Sequence, residues 1–281
     1  MIDSFTPPAT IQGGFSSSVY LSLDGKQFRT VYFTGIYRIL YGMRPLFPGR
    51  EPGRPIFVAH RGASDRALEN SPTAFDLAIS DGADMIEFDV RLSSDGVPVV
   101  FHDVRTGRTA KENLAVAHTA AARLRAVRLK NGEKLPFLAD VLEIVGGKVP
   151  INIESKAHGG IASAAKALSS AGYGGELLLS SGLRDECLAA RDLLPAISCG
   201  LVTHRPSASD LAFCRRHGLS SIHPSRRLLT VLRLRKVAAS GILLLPYTVD
   251  DPVEAFALIA AGAAGVFSNR AQTLREAWHL R

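Results

Sequence analysis

From residue 56 onward, short β-rich runs alternate with amphipathic segments of helical period. There are eight such runs: IFVAH, MIEFDV, VPINIESK, ELLLSS, ISCGLVT, SSIH, GILLLPYTV and AAGVFSN. The segments between them include IASAAKALSSAG, SASDLAFCRRHG and DPVEAFALIAAG. Repeated alternation of strand and helix is typical of a parallel sheet, and eight strands favour closure into a (β/α)8 barrel of the TIM type. The sequence therefore predicts an α/β barrel, whose catalytic residues would lie where the strands end.

One β-rich run, VPVVFHD, breaks this alternation. Only a few residues separate it from MIEFDV, too few for a crossover helix, and the link contains Asp95-Gly96, a strong hairpin signal. We therefore expect an antiparallel return strand. A two-residue loop would set Asp89 opposite His102 and a four-residue loop would set Glu87 there, whereas a three-residue loop would turn the histidine to the other face. The alternative is a parallel barrel strand reached by an extended link, which would also bring His102 to the carboxyl-terminal rim.

Two carboxylates, Glu87 and Asp89, occupy a strand that should be buried. Side chains two apart on a strand share a face, so both point the same way, and such a pair persists if water, protons or a cation relieve the repulsion. Asn152, Glu154 and Lys156 alternate along VPINIESK and would also project from one face, toward the barrel mouth. Any one of these acids could be a paired or solvated rim carboxylate. Three together form an oxygen-rich, sulfur-free cluster that suits Mg²⁺ or Ca²⁺.

Two histidines stand at predicted strand ends, His60 beside Arg61 and His102 at the end of the hairpin. Either histidine alone is more often a hydrogen-bonded structural residue than a catalyst. Two of them beside a metal site, with Arg61 and Lys156 available for an anion, favour proton transfer near neutral pH.

Five motifs follow one another along the chain: AHRG, EN within RALENSPTAF, EFD, DGVPVVFHD and IESK. In this order they closely resemble the glycerophosphodiester phosphodiesterases, metal-dependent TIM barrels of the phospholipase C-like phosphodiesterase type. The resemblance covers roughly residues 56 to 270. It implies hydrolysis of a small-molecule glycerophosphodiester to glycerol 3-phosphate and an alcohol. The attacking group would be the substrate's own glycerol hydroxyl, giving a cyclic phosphate, or a water molecule.

The resemblance also implies a role for each matching residue. These residues are the acid–base pair His60 and His102, the phosphate contacts Arg61 and Lys156, and the metal ligands Glu87, Asp89 and Glu154. Which histidine is the acid stays open. Glu69 and Asn70 match the family's Glu-Asn pair and would support the site. Alternatively, Asn70 or Ser71 simply caps a helix that starts near Pro72.

Three positions depart from the family pattern. Ser71 replaces the usual Thr but keeps the hydroxyl, and Tyr247 occupies the usual Trp position, which concerns recognition of the alcohol group. Near the end of the chain, Ala264 and Asn269 stand in place of two aspartates. These positions lie outside the predicted metal cluster. We therefore expect catalysis to survive and substrate preference to be the property that they affect.

Two other functions remain open. The nearest is a phospholipase D of the same barrel, acting on lysophospholipid or sphingomyelin, which shares the His, Glu-x-Asp and His elements. A long apolar groove beside the mouth would favour it, and no sequence pattern shows one. The other is a barrel that has lost catalysis and binds phosphodiesters or anionic lipid. The presence of every core catalytic position argues against it.

Composition bears on partners and location. The net charge of +7 is compatible with nucleic acid, anionic lipid or phosphorylated substrates. The acid-free basic segment 215–236 has no interleaved aromatics and no nucleic-acid motif, so we expect no nucleic-acid partner. No apolar stretch approaches the ~20 residues that span a bilayer, and the start MIDSFTPPATIQGG lacks the order of a secretory signal. These features predict a soluble, cytoplasmic protein whose three cysteines are small buried core residues.

Residues 1–55 do not fit the barrel pattern and contain nine of the twenty aromatic residues. We therefore predict an aromatic-rich N-terminal extension, 1–55, and a phosphodiesterase barrel domain, 56–281. The extension would pack on the barrel as an extra layer, which we favour, or form a subunit interface, or contact an anionic membrane as a peripheral protein. The oligomeric state is not specified by the sequence.

Overall fold

A computed structural model of the chain describes residues 54–280, residue 46 and two short earlier strands. The strands are β1 (Tyr20–Leu23), β2 (Lys26–Arg29), β3 (Ile56–His60), β4 (Met85–Leu92), β5 (Pro98–Val100), β6 (Ile151–Ser155), β7 (Leu177–Ser181), β8 (Ser198–Thr203), β9 (Ser221–Pro224), β10 (Leu243–Leu244) and β11 (Gly265–Ser268). The α-helices are α1 (Pro72–Ser80), α2 (Ala121–Leu124), α3 (Leu138–Val145), α4 (Gly160–Ser170), α5 (Arg184–Leu193), α6 (Ala208–Arg216), α7 (Val231–Ala238), α8 (Pro252–Ala260) and α9 (Ala271–His279). Short 3₁₀ turns occur at Thr106–Arg108, Val116–His118 and Arg226–Leu228.

Eight parallel strands form the barrel, in the spatial order β10, β9, β8, β7, β6, β4, β3, β11. Backbone hydrogen bonds join the two ends of this series: Ala264 N donates to Leu244 O at 2.8 Å, and Phe267 N donates to Pro246 O at 2.9 Å. Between β11 and β3 the backbones approach so closely that a Cβ atom on Gly265 would lie 2.1 Å from the Ile56 carbonyl oxygen. The predicted TIM barrel is confirmed, and each of the eight β-rich runs supplies one of its strands.

The return strand β5 pairs antiparallel with β4, as predicted, and of the three loop lengths considered the register is that of the three-residue loop. Ser93 N donates to Val97 O at 3.0 Å, so the loop is the three-residue segment 94–96. Continued along the strand, this register would turn His102 away from the carboxylates. Pairing instead ends at Phe101, and the chain bends at His102. The pleat therefore does not set the direction of His102, and the bend brings it to the same cavity as the acids.

The apolar side chains form an outer layer between helices and sheet and an inner cluster within the barrel. The outer layer includes Phe75 on α1 and Phe88 on β4, whose ring centroids lie 5.7 Å apart. The inner cluster comprises Leu46, Ile56, Val58, Met85, Leu178, Leu243, Leu245, Ala264 and Phe267. This cluster fills much of the barrel interior, and the charged side chains of the predicted site lie at its carboxyl-terminal mouth.

Between β2 and residue 54, the structure describes only Leu46. It is buried in the inner cluster, and Ser198 Oγ donates to its carbonyl oxygen at 3.1 Å. Since Ser198 begins β8, Leu46 covers the amino-terminal end of the barrel. β1 and β2 form an antiparallel hairpin. The other predictions for residues 1–55, including the interface and membrane alternatives, concern residues outside those described.

Two predictions from composition can be compared with the structure. Cys187, Cys199 and Cys214 are all buried in the core, as predicted. Among the described residues, no helix combines the length and the apolar character that crossing a membrane requires.

Burial of His223 on β9 makes the stability of the fold depend on pH. It is 1% exposed, its Nε2 lies 2.9 Å from Ser221 Oγ, and burial lowers its pKa to about 3. The unfolded chain takes up this proton near its ordinary pKa of 6.5, well before the folded chain does. The contribution of the neutral, buried His223 ring to the free energy of unfolding is therefore fully present above about pH 6.5 and is lost as the pH falls toward 3.

We expect His223→Gln to flatten the decline of unfolding free energy between about pH 6 and pH 4. The change in slope should be on the order of 1 kcal/mol per pH unit, because one proton fewer is taken up on unfolding. Urea unfolding at a series of pH values measures this slope. His279→Gln, at an exposed position, is the control. A slope that is the same in both variants would contradict the assignment to His223.

Candidate active site

The predicted site residues converge at the carboxyl ends of the barrel strands, around a cavity of about 710 Å³. Those that line the cavity are His60, Arg61, Glu87, His102, Glu154, Lys156 and Tyr247. The other three are attached through direct contacts: Asp89 belongs to the same acidic cluster as Glu87, Asn70 bonds to Asp89, and Glu69 bonds to Arg61. No predicted site residue lies elsewhere in the fold.

The acidic cluster consists of Glu87, Asp89 and Glu154, which each offer one oxygen within 4.8 Å of the others. Glu87 and Asp89 are 1% exposed. The pairing of β4 with β6 sets Asp89 opposite Glu154 and Glu87 opposite Asn152, so strand register places the cluster. A donor set made only of carboxylate oxygens suits a hard divalent cation.

The three acids differ in pKa because the cations are unevenly placed around them. Burial, and then repulsion from Asp89, raise the pKa of Glu87 well above its usual value. Burial also raises the pKa of Glu154. Burial acts in the same direction on Asp89, but Lys156 and Arg61 outweigh it and hold the pKa of this acid below its usual range. With all three acids ionised, the cluster would carry more negative charge than its two cationic neighbours stabilise.

Two carboxylate oxygens in the cluster, Glu87 Oε1 and Asp89 Oδ1, are buried without a hydrogen-bond partner among the described residues, and Asp89 Oδ1 has only the ion pair with Lys156. Glu87 Oε2 accepts a hydrogen bond from Arg61 N at 3.0 Å, whereas Glu87 Oε1 is buried without one. A buried acceptor without a partner is costly. The residues therefore fit a bound divalent cation, and the cluster can hold one.

Lys156 connects the acids to the rim of the barrel. It follows β6 directly, and its backbone N–H donates to Val90 O at 2.9 Å. Its Nζ donates to Glu154 Oε1 and lies 3.2 Å from Asp89 Oδ1. Burial would lower the pKa of Lys156, but Glu154 and Asp89 outweigh burial and raise it. The side chain is therefore a fixed positive charge in the cavity wall.

Arg61 has a φ of 59°, in the left-handed region that residues other than glycine rarely adopt. Gly62 follows with a φ of 82°, and a Cβ there would lie 2.7 Å from the Ala74 backbone. This turn directs the guanidinium to Glu69, at 2.7 Å, and brings Nε within 3.2 Å of Asp89 Oδ2. The second contact is an ion pair without hydrogen-bond geometry. Backbone strain at such a position is typical of functional sites.

Asn70 and Ser71 have separate tasks, which the sequence left open. Ser71 caps α1, where its Oγ accepts from Ala74 N at 3.2 Å. Asn70 has a φ of 54°, and its Nδ2 donates to Asp89 Oδ2 at 3.0 Å. The cap is therefore Ser71, which leaves Asn70 to contact the acidic cluster.

His102 is held by a chain of polar contacts that includes a residue absent from the prediction, Arg108. His102 Nδ1 lies 2.6 Å from Asp103 Oδ1, and Arg108 Nε donates to Asp103 Oδ2 at 2.5 Å. The terminal nitrogens of Arg108 donate to Glu69 at 2.6 and 2.8 Å. Because Glu69 also binds Arg61, one guanidinium ties the His102 loop to the Arg61 turn. No motif in the sequence marks Arg108.

His60 is held by two further residues that were not predicted to belong to the site. Burial, and then the charge of Arg61, lower the pKa of His60 to about 4. His60 Nδ1 lies 2.9 Å from Asn269 Oδ1, and Asn269 Nδ2 donates to Asp250 Oδ2 at 2.9 Å. In the sequence, Asn269 is visible only as a departure from the family pattern. Asp250 carries no signal there, because its link to His60 passes through a residue on another strand end.

Uncharged side chains also line the cavity. They include Leu183, Val202, Thr203, Tyr247 and Thr248, and the cavity is lined by two further histidines, His204 and His223. Tyr247 is half-buried, and its hydroxyl oxygen lies 3.5 Å from the Thr203 carbonyl oxygen. These uncharged side chains are available to a part of a substrate that the charged groups do not bind.

Known proteins are similar to this chain in sequence and in fold. The model of the glycerophosphoryl diester phosphodiesterase family matches residues 60–273. A glycerophosphodiester phosphodiesterase from Caldanaerobacter subterraneus subsp. tengcongensis is 28% identical over 234 residues, which cover 79% of this chain and 96% of that protein. An Oleispira antarctica phosphodiesterase, solved in complex with the product sn-glycerol-3-phosphate, is 26% identical with a TM-score of 0.75 and covers 80% of this chain and 97% of its own. A Thermotoga maritima glycerophosphodiester phosphodiesterase is 26% identical with a TM-score of 0.63, covering 81% and 99%. This chain therefore belongs to the glycerophosphoryl diester phosphodiesterase family.

Proposed function

We propose that this chain hydrolyses glycerophosphodiesters to glycerol 3-phosphate and an alcohol, using a divalent metal ion and two acid–base histidines. Membership of the family makes it a phosphoric diester hydrolase. The observation that carries the proposal is the convergence of a three-carboxylate cluster, two histidines and two cationic side chains on one cavity. The Oleispira antarctica relative binds sn-glycerol-3-phosphate, the product expected here.

The acidic cluster would hold the metal ion through Glu87, Asp89 and Glu154. When bound, Mg²⁺ or Ca²⁺ would supply positive charge that offsets the charge of the phosphate and of the transition state. The partnerless Glu87 Oε1 supports this assignment, because a cation is the missing counterpart of a buried carboxylate oxygen.

Arg61 and Lys156 would orient the phosphate. Arg61 has five N–H donors, and its contacts to Glu69 and Asp89 leave several of them available. The ammonium of Lys156 has three donors, one of which is used by Glu154. Because both side chains are already held by acids, they would present positive charge without reorganising, which is the condition for electrostatic catalysis.

His60 and His102 would move the protons of the hydrolysis. One takes the proton of the attacking hydroxyl as the new P–O bond forms, and the other gives a proton to the alcohol oxygen as the old P–O bond breaks. The attacking hydroxyl belongs to the glycerol of the substrate, giving a cyclic phosphate that water then opens, or to water itself. Tyr247 and its uncharged neighbours would face the departing alcohol.

The products identify the reaction. We expect the purified protein to release glycerol 3-phosphate from glycerophosphodiesters with neutral or cationic alcohols, because the charged groups recognise the shared glycerophosphate part. Chromatography of reactions with these substrates, with lysophospholipid and with sphingomyelin measures this. Cleavage of the lipids alone would contradict the proposal and support a phospholipase D instead. The absence of any cleavage would support a binding protein.

Binding of a divalent ion can be tested without turnover. Mg²⁺ or Ca²⁺ should raise the thermal midpoint of metal-free protein, because a ligand at 100 times its Kd stabilises the folded state by about 2.7 kcal/mol. Glu87→Gln should lose most of this rise, whereas Glu143→Gln, an exposed change on α3, should keep it. Chelation should abolish turnover and added ion should restore it. An equal metal-induced rise in the two variants would exclude Glu87 as a ligand, and full turnover without metal would exclude metal dependence.

The two histidines can be tested by truncation. His60→Ala and His102→Ala should each lower kcat by ~10²-fold or more, because each removes a positioned proton donor or acceptor. Steady-state kinetics measures this, and circular dichroism shows whether the fold is intact. His279→Ala, on the exposed end of α9, is the matched control. Near-normal kcat in a variant at position 60 or 102 would remove that histidine from the mechanism.

A further inference from the structure

The ring of His60 is bonded to a side-chain amide that is itself bonded to a carboxylate. His60 Nδ1 lies 2.9 Å from Asn269 Oδ1. On the other side of the amide, Asn269 Nδ2 donates to Asp250 Oδ2 at 2.9 Å. Asp250 Oδ1 accepts from Asn269 N at 2.8 Å and from Ser268 Oγ at 3.0 Å. Both carboxylate oxygens are therefore fixed by donors at the end of β11.

The direction of the Asn269 amide follows from these partners. An ionised carboxylate only accepts hydrogen bonds, so the amide NH₂ must face Asp250 and the amide oxygen must face His60. An amide oxygen also only accepts, so His60 Nδ1 must be the donor. Ser64 Oγ lies 3.0 Å from the same oxygen and 2.8 Å from the His60 carbonyl oxygen, so its single hydrogen does not decide the direction of the amide. In neutral His60 the other ring nitrogen, Nε2, then carries the lone pair.

An asparagine alone would not enforce this arrangement. Its amide can turn by half a rotation, which exchanges the oxygen and the NH₂ group and would equally accommodate a His60 that accepts at Nδ1. Asp250 removes this freedom, because a turned amide would place two acceptors against each other. In the family pattern that this sequence resembles, position 269 is an aspartate. In this chain the negative charge belongs to Asp250, which the Asn269 amide separates from the His60 ring.

We propose that Asn269 and Asp250 are positioning residues that fix His60 as the Nδ1–H tautomer, so that Nε2 faces the cavity as a proton acceptor. His60 lines the cavity, and its Nε2 lies on the side of Glu87, 3.9 Å from Oε2. Resting on the proposed function, the inference makes His60 the group that starts as the base. The attacking O–H bond breaks as its proton moves to Nε2, and His102 protonates the alcohol oxygen as the P–O bond breaks.

The isosteric variant Asp250→Asn tests this relay. The amide introduced at position 250 would keep its oxygen toward Asn269 N and Ser268 Oγ, so its NH₂ would face the Asn269 side chain. The Asn269 amide must then turn, and its NH₂ would meet Nδ1 of His60, which favours the Nε2–H tautomer. We expect the ring proton to move from Nδ1 to Nε2, read by ¹⁵N NMR of histidine-labelled protein above pH 7, with chelator and with Ca²⁺. The spectrum of His60→Gln assigns the signals. We also expect kcat to fall by ~10²-fold or more.

A second variant separates the relay from a general structural role. Adding Asn269→Asp to Asp250→Asn restores an acceptor opposite Nδ1, so it should return the proton to Nδ1 and recover most of the lost kcat. Asp251→Asn makes the same charge change one residue away, at the N-cap of α8 where Asn caps equally well, and should change neither signal nor kcat.

A wild-type His60 with its proton on Nε2 would overturn the inference, and so would an unchanged Nδ1–H signal in Asp250→Asn. These signals do not depend on turnover. Failure of the wild-type protein to release glycerol 3-phosphate would contradict the proposed function, whereas the tautomer decides the role of Asn269 and Asp250.

Discussion

Repulsion among the three carboxylates of the acidic cluster is the interaction that the surrounding structure must compensate. Glu87, Asp89 and Glu154 bring three oxygens within 4.8 Å of one another at the mouth of a barrel whose interior holds a large apolar cluster. Two unit charges 4 Å apart interact by about 4 kcal/mol at an effective dielectric constant of 20, so uncompensated carboxylates could not share this space. Arg61 and Lys156 supply part of the compensation. A divalent cation would suit the rest of the compensation, because one buried Glu87 oxygen has no hydrogen-bond partner among the described residues.

The need to compensate this repulsion is consistent with the left-handed backbone conformations found beside the cluster. Arg61 and Asn70 both contact the acids from a left-handed backbone conformation. Glu69 holds the other end of the Arg61 guanidinium and shares Arg108 with Asp103. Three segments that are distant along the chain are thus joined by alternating charges. Such a network rigidifies the mouth of the barrel, and a rigid arrangement of charges suits the binding of a phosphate.

The two histidines that the sequence predicts to be catalytic are held by chemically different partners. His102 contacts the carboxylate of Asp103, whereas His60 contacts the neutral amide of Asn269, with Asp250 behind it. Two similar side chains on one cavity are therefore not equivalent. A hydrolysis that needs one proton acceptor and one donor benefits from this asymmetry, because the partner at Nδ1 decides which nitrogen of a ring carries the proton.

The barrel and the face shared by Glu87 and Asp89 were predictable from the sequence, because hydrophobic period and side-chain alternation are local properties of a strand. The convergence of the predicted residues on one cavity then followed from parallel strands ending at one rim. The route by which His102 enters the cavity was not predictable, because the hairpin admitted several loop lengths and pairing stopped before the histidine. Arg108 and Asp250 could not be identified either. Their contacts depend on how loops from separate strands pack, with Arg108 meeting Glu69 across 39 positions, and only the tertiary structure decides such contacts.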